Sequence, residues 1–377
     1  MGVFRRVPEP EAVARPMSTA DPPTRGRHRK GGRFPALRPR PFRRHGGTNG
    51  REPTAGPVYA ALDLGTNNCR LLIATPTVHK DKTPGGFRVV QSFSRIVRLG
   101  EGLEASGTLN GAACDRAIEA LKVCARMVRA RKTRAVRAVA TEACRRADNG
   151  VDFLKRAAEE TGLDLIPIPA EEEARLTLLG CGALLDPAFP RALVFDIGGG
   201  STELMWVATA RDAPPRLLGF ESLPLGVVTL AETVGGDALS AEDYDRLVRE
   251  IDARLAPFDA AHGVSDAVGK GNVFMLGTSG TVTTLGGLYL DLPRYDRSLV
   301  DGLIMDADRV SALGHGLAAM TAAERARNPC IGSERADLVA MGCAVLEAIS
   351  RRWPVPRLRA ADRGIREGLL MEMMAAS

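Results

Sequence analysis

The sequence predicts an α/β protein built from two related halves that face each other across a cleft. Strand-like runs alternate with helical patterns along most of the chain, and this alternation is typical of the α/β class. The stretches "DLGTNNCRL" (63–71) and "DIGGGSTEL" (196–204) share their Asp, Gly and Leu positions. Their aspartates lie 133 residues apart, about the length of one domain. We therefore interpret the two stretches as one element used once in each half.

The chain opens with a segment that differs from the rest in composition. Residues 1–55 are rich in Arg, Pro and Gly and show neither helical nor strand periodicity, which predicts a disordered basic tail. Residues 1–52 hold 13 Lys and Arg against 4 Asp and Glu, so the excess positive charge of the chain lies here and the remainder is net negative. Two interpretations stay open: a dispensable or mis-started segment, or a weak polyanion-binding arm.

From residue 58 the pattern becomes that of a globular protein. Apolar runs that include "VYAALDLG", "CRLLIAT", "TRAVRAVA" and "ELMWVAT" predict strands. Apolar residues at helical spacing predict helices over 110–131 and 240–258. The stretch "AEEEARLTLLGCGALL" predicts a helix with three acids in its first turn, and "VFMLGTSGTVTTL" (273–285) repeats the strand-then-glycine theme. The rest of the chain reads as mostly helical.

Composition narrows the classes of function. No apolar run approaches the roughly 18 residues of a membrane span, and no secretory signal is visible. The seven cysteines form no C-x-x-C pair, which favours reduced, buried thiols in a cytoplasmic protein and argues against a zinc site.

The duplicated turn has a chemistry of its own. Each copy places an Asp at the end of a strand and follows it with glycine, which permits close approach of backbone. Successive N–H groups can then converge on an anion, and hydroxyl groups add donors. No Lys follows, and the second copy continues into another strand, so the turn is a phosphate-holding β-hairpin and neither a P-loop nor a dinucleotide fingerprint. The carboxylates can hold a divalent metal or position water.

At this point the chain resembles the Ppx/GppA family of exopolyphosphatases and guanosine pentaphosphate phosphohydrolases. The two turns resemble its first and second phosphate motifs, and "LGTSGTVTTL" resembles its third glycine motif. "VRAVATEACRRADNG", "EEEARLTLLG", "ERADLVAMGCAVLEAI" and "DRGIREGLL" resemble further family segments. The likeness runs from about residue 58 to 375 and leaves no room for the C-terminal HD-type domain of long members. It implies a duplicated actin-like fold of the sugar kinase, Hsp70 and actin type.

The resemblance also implies roles for individual residues. Glu173 stands at the family's catalytic base, and Asp196, Glu203 and Arg145 are its expected catalytic partners. Metal ligation is expected from Asp63, Asp196 and Glu203, with Mg²⁺ or another divalent cation as cofactor. Phosphate binding is expected from three groups of residues: Thr66, Asn67 and Arg70; Gly198, Gly199, Gly200 and Ser201; Gly277, Thr278, Ser279, Gly280 and Thr281.

Three positions depart from the family pattern. Asn68 stands where Ser is usual, Arg146 replaces an Asp, and Asp301 stands where many members carry His before Gly. The expected halves are domain I over 56–169, with 357–377 returning to it, and domain II over 170–356.

The expected activity is release of terminal phosphate from inorganic polyphosphate, or conversion of guanosine pentaphosphate to tetraphosphate. Two alternatives remain open: a kinase or ATPase of the same fold, and a non-catalytic sensor that binds an alarmone or polyphosphate. We expect a bacterial, cytoplasmic protein without a membrane partner, and leave open whether it forms a homodimer.

Overall fold

The computed structural model of this chain describes residues 56–78 and 84–376. The tail predicted over residues 1–55 lies outside the described residues. None of the described helices is both long and apolar enough to cross a membrane.

The first half of the described chain contains a five-stranded sheet of order β3-β2-β1-β4-β5. The central strand β1 pairs antiparallel with β2 and parallel with β4. Alternate residues of β1 pack into apolar clusters on opposite faces of the sheet, so β1 is buried on both sides. The strands are β1 (Tyr59–Leu64), β2 (Asn68–Val78), β3 (Pro84–Ile96), β4 (Ala135–Ala140) and β5 (Leu165–Pro167).

The second half contains a six-stranded sheet of order β10-β11-β9-β6-β7-β8. Its central strand β6 again pairs antiparallel with the strand that follows it, β7, and parallel with a later strand, β9. The strands are β6 (Arg191–Ile197), β7 (Thr202–Ala208), β8 (Arg216–Leu223), β9 (Val273–Thr278), β10 (Ile304–Asp306) and β11 (Arg357–Ala361).

The two sheets have the same core topology. In each, three consecutive strands form an antiparallel meander, and two later strands add parallel to its first strand. Each duplicated motif is the hairpin turn between the first two strands of its sheet. The predicted fold class, a duplicated α/β architecture, is therefore confirmed.

Fourteen α-helices and one 3-10 helix (Gly182–Leu184) complete the described chain. The first half holds α1 (Leu103–Ser106), α2 (Gly111–Ala130), α3 (Glu142–Arg146) and α4 (Gly150–Thr161). The remainder holds α5 (Ala170–Cys181), α6 (Val227–Val234), α7 (Ala241–His262), α8 (Val264–Gly269), α9 (Ser279–Tyr289), α10 (Arg297–Val300), α11 (Ala307–Ala319), α12 (Ala322–Ala326), α13 (Val339–Arg352) and α14 (Ile365–Ala375).

The C-terminal segment is shared between the two sheets. Strand β11 pairs with β9 and β10 of the second sheet, whereas Leu369, Leu370 and Met373 of α14 pack against the first sheet. Of the segment 357–377 that we expected to return to domain I, only the helix lies on that sheet. The domain boundaries stay a prediction.

The third glycine motif follows strand β9 as predicted, and α9 begins directly after that strand. One region differs from the sequence-based expectation. Strands β10 and β11 interrupt a region that reads as mostly helical; they are only three and five residues long, too short for a clear periodicity.

Helices α5 and α14 approach each other closely through glycine. A Cβ atom on Gly368 would lie 2.2 Å from the carbonyl oxygen of Leu176, and one on Gly180 would lie 2.3 Å from that of Gly364. Since α5 carries Glu173, this contact ties a candidate catalytic residue to the C-terminal helix.

We expect Gly368→Ala to lower the free energy of unfolding by roughly 1–3 kcal/mol, because the new methyl group overlaps backbone that cannot move away freely. Chemical denaturation measures the change. Gly316→Ala in α11 is the matched control, since a Cβ atom there meets nothing within 4 Å and alanine favours the helix. An equal effect of both substitutions would contradict the close helix contact.

Candidate active site

A cleft of about 100 Å³ lies where the two hairpin turns meet. The residues that line it come from the ends of strands in both sheets, from the first turns of α3, α5, α9 and α14, and from the loop before α14. They include most of the predicted site: Asp63, Thr66, Asn67, Arg70, Glu173, Asp196, Gly198, Gly199, Gly200, Ser201, Glu203, Thr278 and Ser279.

The first turn is held by its carbonyl groups. The carbonyl of Asn67 accepts hydrogen bonds from the backbone N–H groups of Val97 (2.8 Å) and Arg98 (3.0 Å). The carbonyl of Thr66 accepts from Gly100 at 2.9 Å. All peptide bonds of the described residues are trans. The N–H group of each peptide therefore points away from the residue that donates to the carbonyl of the same peptide.

The second turn is held in the same manner by a different partner. The carbonyls of Gly198 and Gly199 accept hydrogen bonds from Val227 (3.0 Å) and Val228 (2.8 Å), the first two residues of α6. The N–H groups of Gly199 and Gly200 therefore point away from α6.

Both turns thus present unpaired donors. The backbone N–H groups of Thr66, Asn67, Gly199 and Gly200 donate to no described residue. The turns also touch, since a Cβ atom on Gly199 would lie 3.0 Å from the backbone nitrogen of Asn67. Unpaired N–H groups on successive residues can form an anion-binding nest, and the residues of both turns line the same cleft.

Glu173 lies in the first turn of α5 and only 6% of its surface is exposed. Its Oε1 accepts a hydrogen bond from Nη1 of Arg145, which also donates to the carbonyl of Ile168 at 2.6 Å. Arg145 lies at the end of α3 and does not line the cleft. Its hydrogen bond orients the carboxyl group of Glu173. Burial, reinforced by the charge of Glu203, raises the pKa of Glu173 to about 9 despite Arg145.

Two further acids share this environment. Burial raises the pKa of Asp196 to about 6, and burial together with the charge of Asp196 raises that of Glu203 to about 7. Oε1 of Glu203 accepts from the hydroxyls of Ser201 (2.6 Å) and Ser222 (2.9 Å). Burial also raises the pKa of Asp63. The cleft therefore concentrates carboxyl groups whose ionisation is opposed until positive charge or hydrogen-bond donors enter.

This electrostatic arrangement predicts a pH-dependent stability. The pKa of Glu173 is near 4.5 in the unfolded chain and about 9 in the folded protein. Between these two pH values the folded protein keeps a proton that the unfolded chain releases. The free energy of unfolding therefore falls as pH rises from about 4.5 to about 9. Glutamine at this position cannot titrate. The free energy of unfolding of Glu173→Gln, relative to that of wild type, should therefore rise by more than about 1 kcal/mol when the pH is raised from about 5 to about 8.5. Urea denaturation of both proteins measures this difference. The exposed neighbour Glu171→Gln should show none; a pH-independent difference for Glu173→Gln would refute the assignment.

Four buried side-chain oxygen atoms at the cleft have no hydrogen-bond partner among the described residues. Oδ1 of Asp63, Oδ1 of Asn67, Oδ1 of Asn68 and Oε2 of Glu142 are buried without a hydrogen-bond partner. These oxygens require a cation or a donor from outside the chain. Within residues 56–78 and 84–376, no three His, Cys, Asp or Glu side chains are arranged to hold a metal alone. The donors fit a magnesium ion that is bound by one or two carboxylates and completed by water and phosphate oxygens.

The third glycine motif contributes only in part. Thr278 and Ser279 line the cleft, and Gly280 and Thr281 line a smaller cavity beside Asn67 and Asn68. Gly277 does not reach the cleft. It lies in β9, where a Cβ atom would meet the ring of Phe195 at 2.6 Å, so its glycine serves packing between strands.

Several lining residues were absent from the predicted site: Asn68, Thr141, Glu142, Asp362, Arg363 and Arg366. Thr141 and Glu142 directly follow β4, and Asp362 and Arg363 directly follow β11. Polar residues that follow the carboxyl ends of strands mark binding sites in α/β sheets, and this signal could have identified them.

The two halves are also joined beside the cleft. Arg98, which follows the first sheet, donates from Nη1 and Nη2 to both carboxylate oxygens of Asp337 (2.7 and 2.8 Å) and from Nη2 to the carbonyl of Glu334 (3.0 Å). The backbone N–H of Gly102 donates to Glu232 at 2.7 Å. These bonds join the first half of the described chain to the second half.

Comparison with known proteins agrees with this architecture. The family model described as the Ppx/GppA phosphatase family matches residues 78–377, a range that begins after the first turn. The crystal structure of the Aquifex aeolicus member of the Ppx/GppA family is 27% identical, with a TM-score of 0.68, over 85% of this chain and 98% of that one. An exopolyphosphatase-like protein is also 27% identical, with a TM-score of 0.75 and the same coverages. An exopolyphosphatase from Cytophaga hutchinsonii, 23% identical with a TM-score of 0.74 over 85% and 98%, shares the fold.

The family match spans well over half of the chain, and the solved members superpose over nearly their whole length. The resemblance seen in the sequence is therefore confirmed: the chain belongs to the Ppx/GppA phosphatase family.

Proposed function

We propose that this protein is a Mg²⁺-dependent phosphoanhydride hydrolase that releases the terminal phosphate of inorganic polyphosphate or of guanosine pentaphosphate. The observation that carries the proposal is the pair of backbone nests, which face one cleft together with the buried carboxyl group of Glu173. Nests bind phosphate oxygens, and a carboxylate that is buried nearby can accept a proton from the attacking water.

The residues divide the work of hydrolysis. The N–H groups of Asn67, Gly199 and Gly200 would hold the oxygens of the terminal phosphate and stabilise the charge that develops on them. Glu173, oriented by Arg145, would take the proton of a water molecule aimed at phosphorus. The raised pKa of Glu173 makes it a strong base once ionised, and the hydroxyls of Ser201 and Ser222 would keep Glu203 in place beside it.

A divalent cation fits the unpartnered oxygens of Asp63 and Asn68, with Asp196 and Glu203 as the other acids of the predicted set. When bound, such an ion neutralises phosphate charge and favours the ionised form of the surrounding carboxyl groups.

Phosphate release by the full chain tests the proposal. Long-chain polyphosphate, guanosine pentaphosphate and ATP are offered in parallel with Mg²⁺ and with EDTA in its place. Mg²⁺-dependent release from either of the first two supports the hydrolase and identifies its substrate. Turnover of ATP alone would favour the kinase or ATPase alternative. Tight binding of polyphosphate or the nucleotide without turnover would favour the sensor.

A further inference from the structure

One loop of the first half, residues 97–102, holds the first turn. The loop follows β3, and three of its backbone N–H groups donate to the carbonyls of Thr66 and Asn67. The contact is also tight, since a Cβ atom on Gly100 would lie 2.3 Å from Cγ2 of Thr66. A movement of this loop would therefore move the first turn with it.

The same loop bonds to the second half at two points. The guanidinium group of Arg98 donates to both carboxylate oxygens of Asp337, at 2.7 and 2.8 Å. The backbone N–H of Gly102 donates to Oε1 of Glu232 at 2.7 Å. Glu232 belongs to α6, whose first N–H groups hold the carbonyls of the second turn. A series of hydrogen bonds and one helix thus connects the first turn to the second.

Arg98 has an unusual backbone conformation for a residue with a long side chain. Its φ angle is 47°, in the left-handed region that residues other than glycine, asparagine and aspartate seldom adopt. In this conformation its N–H bonds to the first turn while its side chain reaches across to the second half. Strained residues persist where the surrounding contacts over-determine them, and they cluster at functional sites.

The partner of Arg98 is itself held in place. Asp337 lies two residues before α13 and packs against Gly236, where a Cβ atom would lie 2.7 Å from Cβ of Asp337. Nη2 of Arg98 also donates to the carbonyl of Glu334 at 3.0 Å. A guanidinium fork held by both oxygens of a carboxylate fixes direction as well as distance, which a single exposed ion pair does not.

We propose that Arg98 is a positioning residue that keeps the two turns aligned on one phosphate group. Its backbone holds the first turn and its side chain holds the second half, so the ion pair with Asp337 sets how the turns face each other. Arg98 does not line the cleft, and it therefore acts through the turns and not on the substrate. This role rests on the phosphoanhydride hydrolysis proposed above and adds a residue on which its rate depends.

Phosphate release by Arg98→Met tests this role. The kcat for tripolyphosphate or guanosine pentaphosphate should fall by about 10- to 100-fold, because a misplacement of about 1 Å is enough for such a loss. KM should stay within about threefold, since each turn keeps its own N–H groups. Arg98→Lys keeps the charge without the fork and should recover part of the rate.

Arg352→Met is the matched control. Arg352 also donates to both carboxylate oxygens of an aspartate, Asp252, each at 2.7 Å, but both residues lie in the second half. The substitution removes the same kind of ion pair without affecting the contact between the halves, so its kcat should equal that of wild type. A normal kcat in Arg98→Met, a rise in KM alone, or an equal loss in Arg352→Met would overturn the proposal.

A double-mutant cycle shows whether Arg98 acts through its partner. Asp337→Asn alone should lower kcat. The double variant should be no slower than Arg98→Met, because both substitutions break one interaction. Losses that multiply would mean that the two residues act independently, which contradicts the proposed role.

The distance between the halves tests the alignment without catalysis. Nitroxide labels are attached to cysteines introduced by Val151→Cys in the first half and Met320→Cys in the second; both side chains are exposed, whereas the seven native cysteines are buried. Arg98→Met should broaden the distribution of distances between the labels, and Arg352→Met should leave it unchanged. An unaltered distribution in Arg98→Met would refute the positioning role.

The two measurements also separate this role from the proposed function. If wild type releases phosphate from neither compound, the proposed function fails, and the label distances alone decide whether Arg98 aligns the halves. If Arg98→Met does not fold, Arg98→Lys takes its place in both measurements.

Discussion

Glu173→Gln should reduce phosphate release by about 10²- to 10⁴-fold, the range expected when a general base is lost. The amide is nearly isosteric and its oxygen can still accept the hydrogen bond from Arg145, so the geometry of the cleft should persist. The amide cannot take a proton from water at any accessible pH. Initial rates of phosphate release, with binding of tripolyphosphate measured alongside, separate loss of chemistry from loss of affinity.

Glu171→Gln provides the control because it removes an acid two residues away that is exposed and lies outside the cleft. Its activity should equal that of wild type. Full activity of Glu173→Gln would exclude this residue as the base and direct attention to Glu203, whose pKa is also raised by burial.

Gly226→Ala should lower activity by about 10²-fold or more and also destabilise the fold by roughly 1–3 kcal/mol. Gly226 precedes α6, and a Cβ atom there would lie 2.2 Å from both the carbonyl oxygen of Gly199 and the carbonyl carbon of Gly200. These atoms are backbone, so the second turn itself must move. The displaced carbonyls would lose their bonds to Val227 and Val228, and the nest would lose its alignment.

Thermal unfolding and phosphate release are measured on the same preparations. Gly111→Ala, at the first position of α2 where a Cβ atom meets nothing within 4 Å, should alter neither. Gly368→Ala should lose stability with a much smaller loss of rate, because its overlap lies between two helices. Normal activity in Gly226→Ala would show that the orientation of the second turn does not matter for catalysis.

The sequence predicted the turns and their main acids because strand, aspartate and glycine follow one another directly in the chain. Arg366 and Glu142 were missed for a different reason: each lies in the first turn of a helix, and its place in the cleft depends on which distant element that turn faces. Glu142 lies beside Gly200, where an added Cβ atom would be 2.6 Å from Oε2 of Glu142, only because the two sheets meet at their hairpins. Gly277 was assigned to the site on its motif, yet its neighbours in space are packing residues. Local patterns thus indicate which residues can act, whereas the tertiary contacts decide which ones do.

Each turn is anchored by hydrogen bonds to its carbonyl groups, and this affects how the sequence of the site can change in evolution. The first turn spells Thr-Asn-Asn and the second Gly-Gly-Ser, yet both offer the same peptide groups to a ligand. A surface made of main chain can exchange its side chains freely wherever the neighbouring atoms leave space. The constraint lies instead at positions outside the turns. Residues 97, 98 and 100 donate hydrogen bonds to the first turn, and Gly226 packs against the backbone of the second. Divergence between the two halves of this molecule is therefore compatible with an unaltered arrangement of these peptide groups.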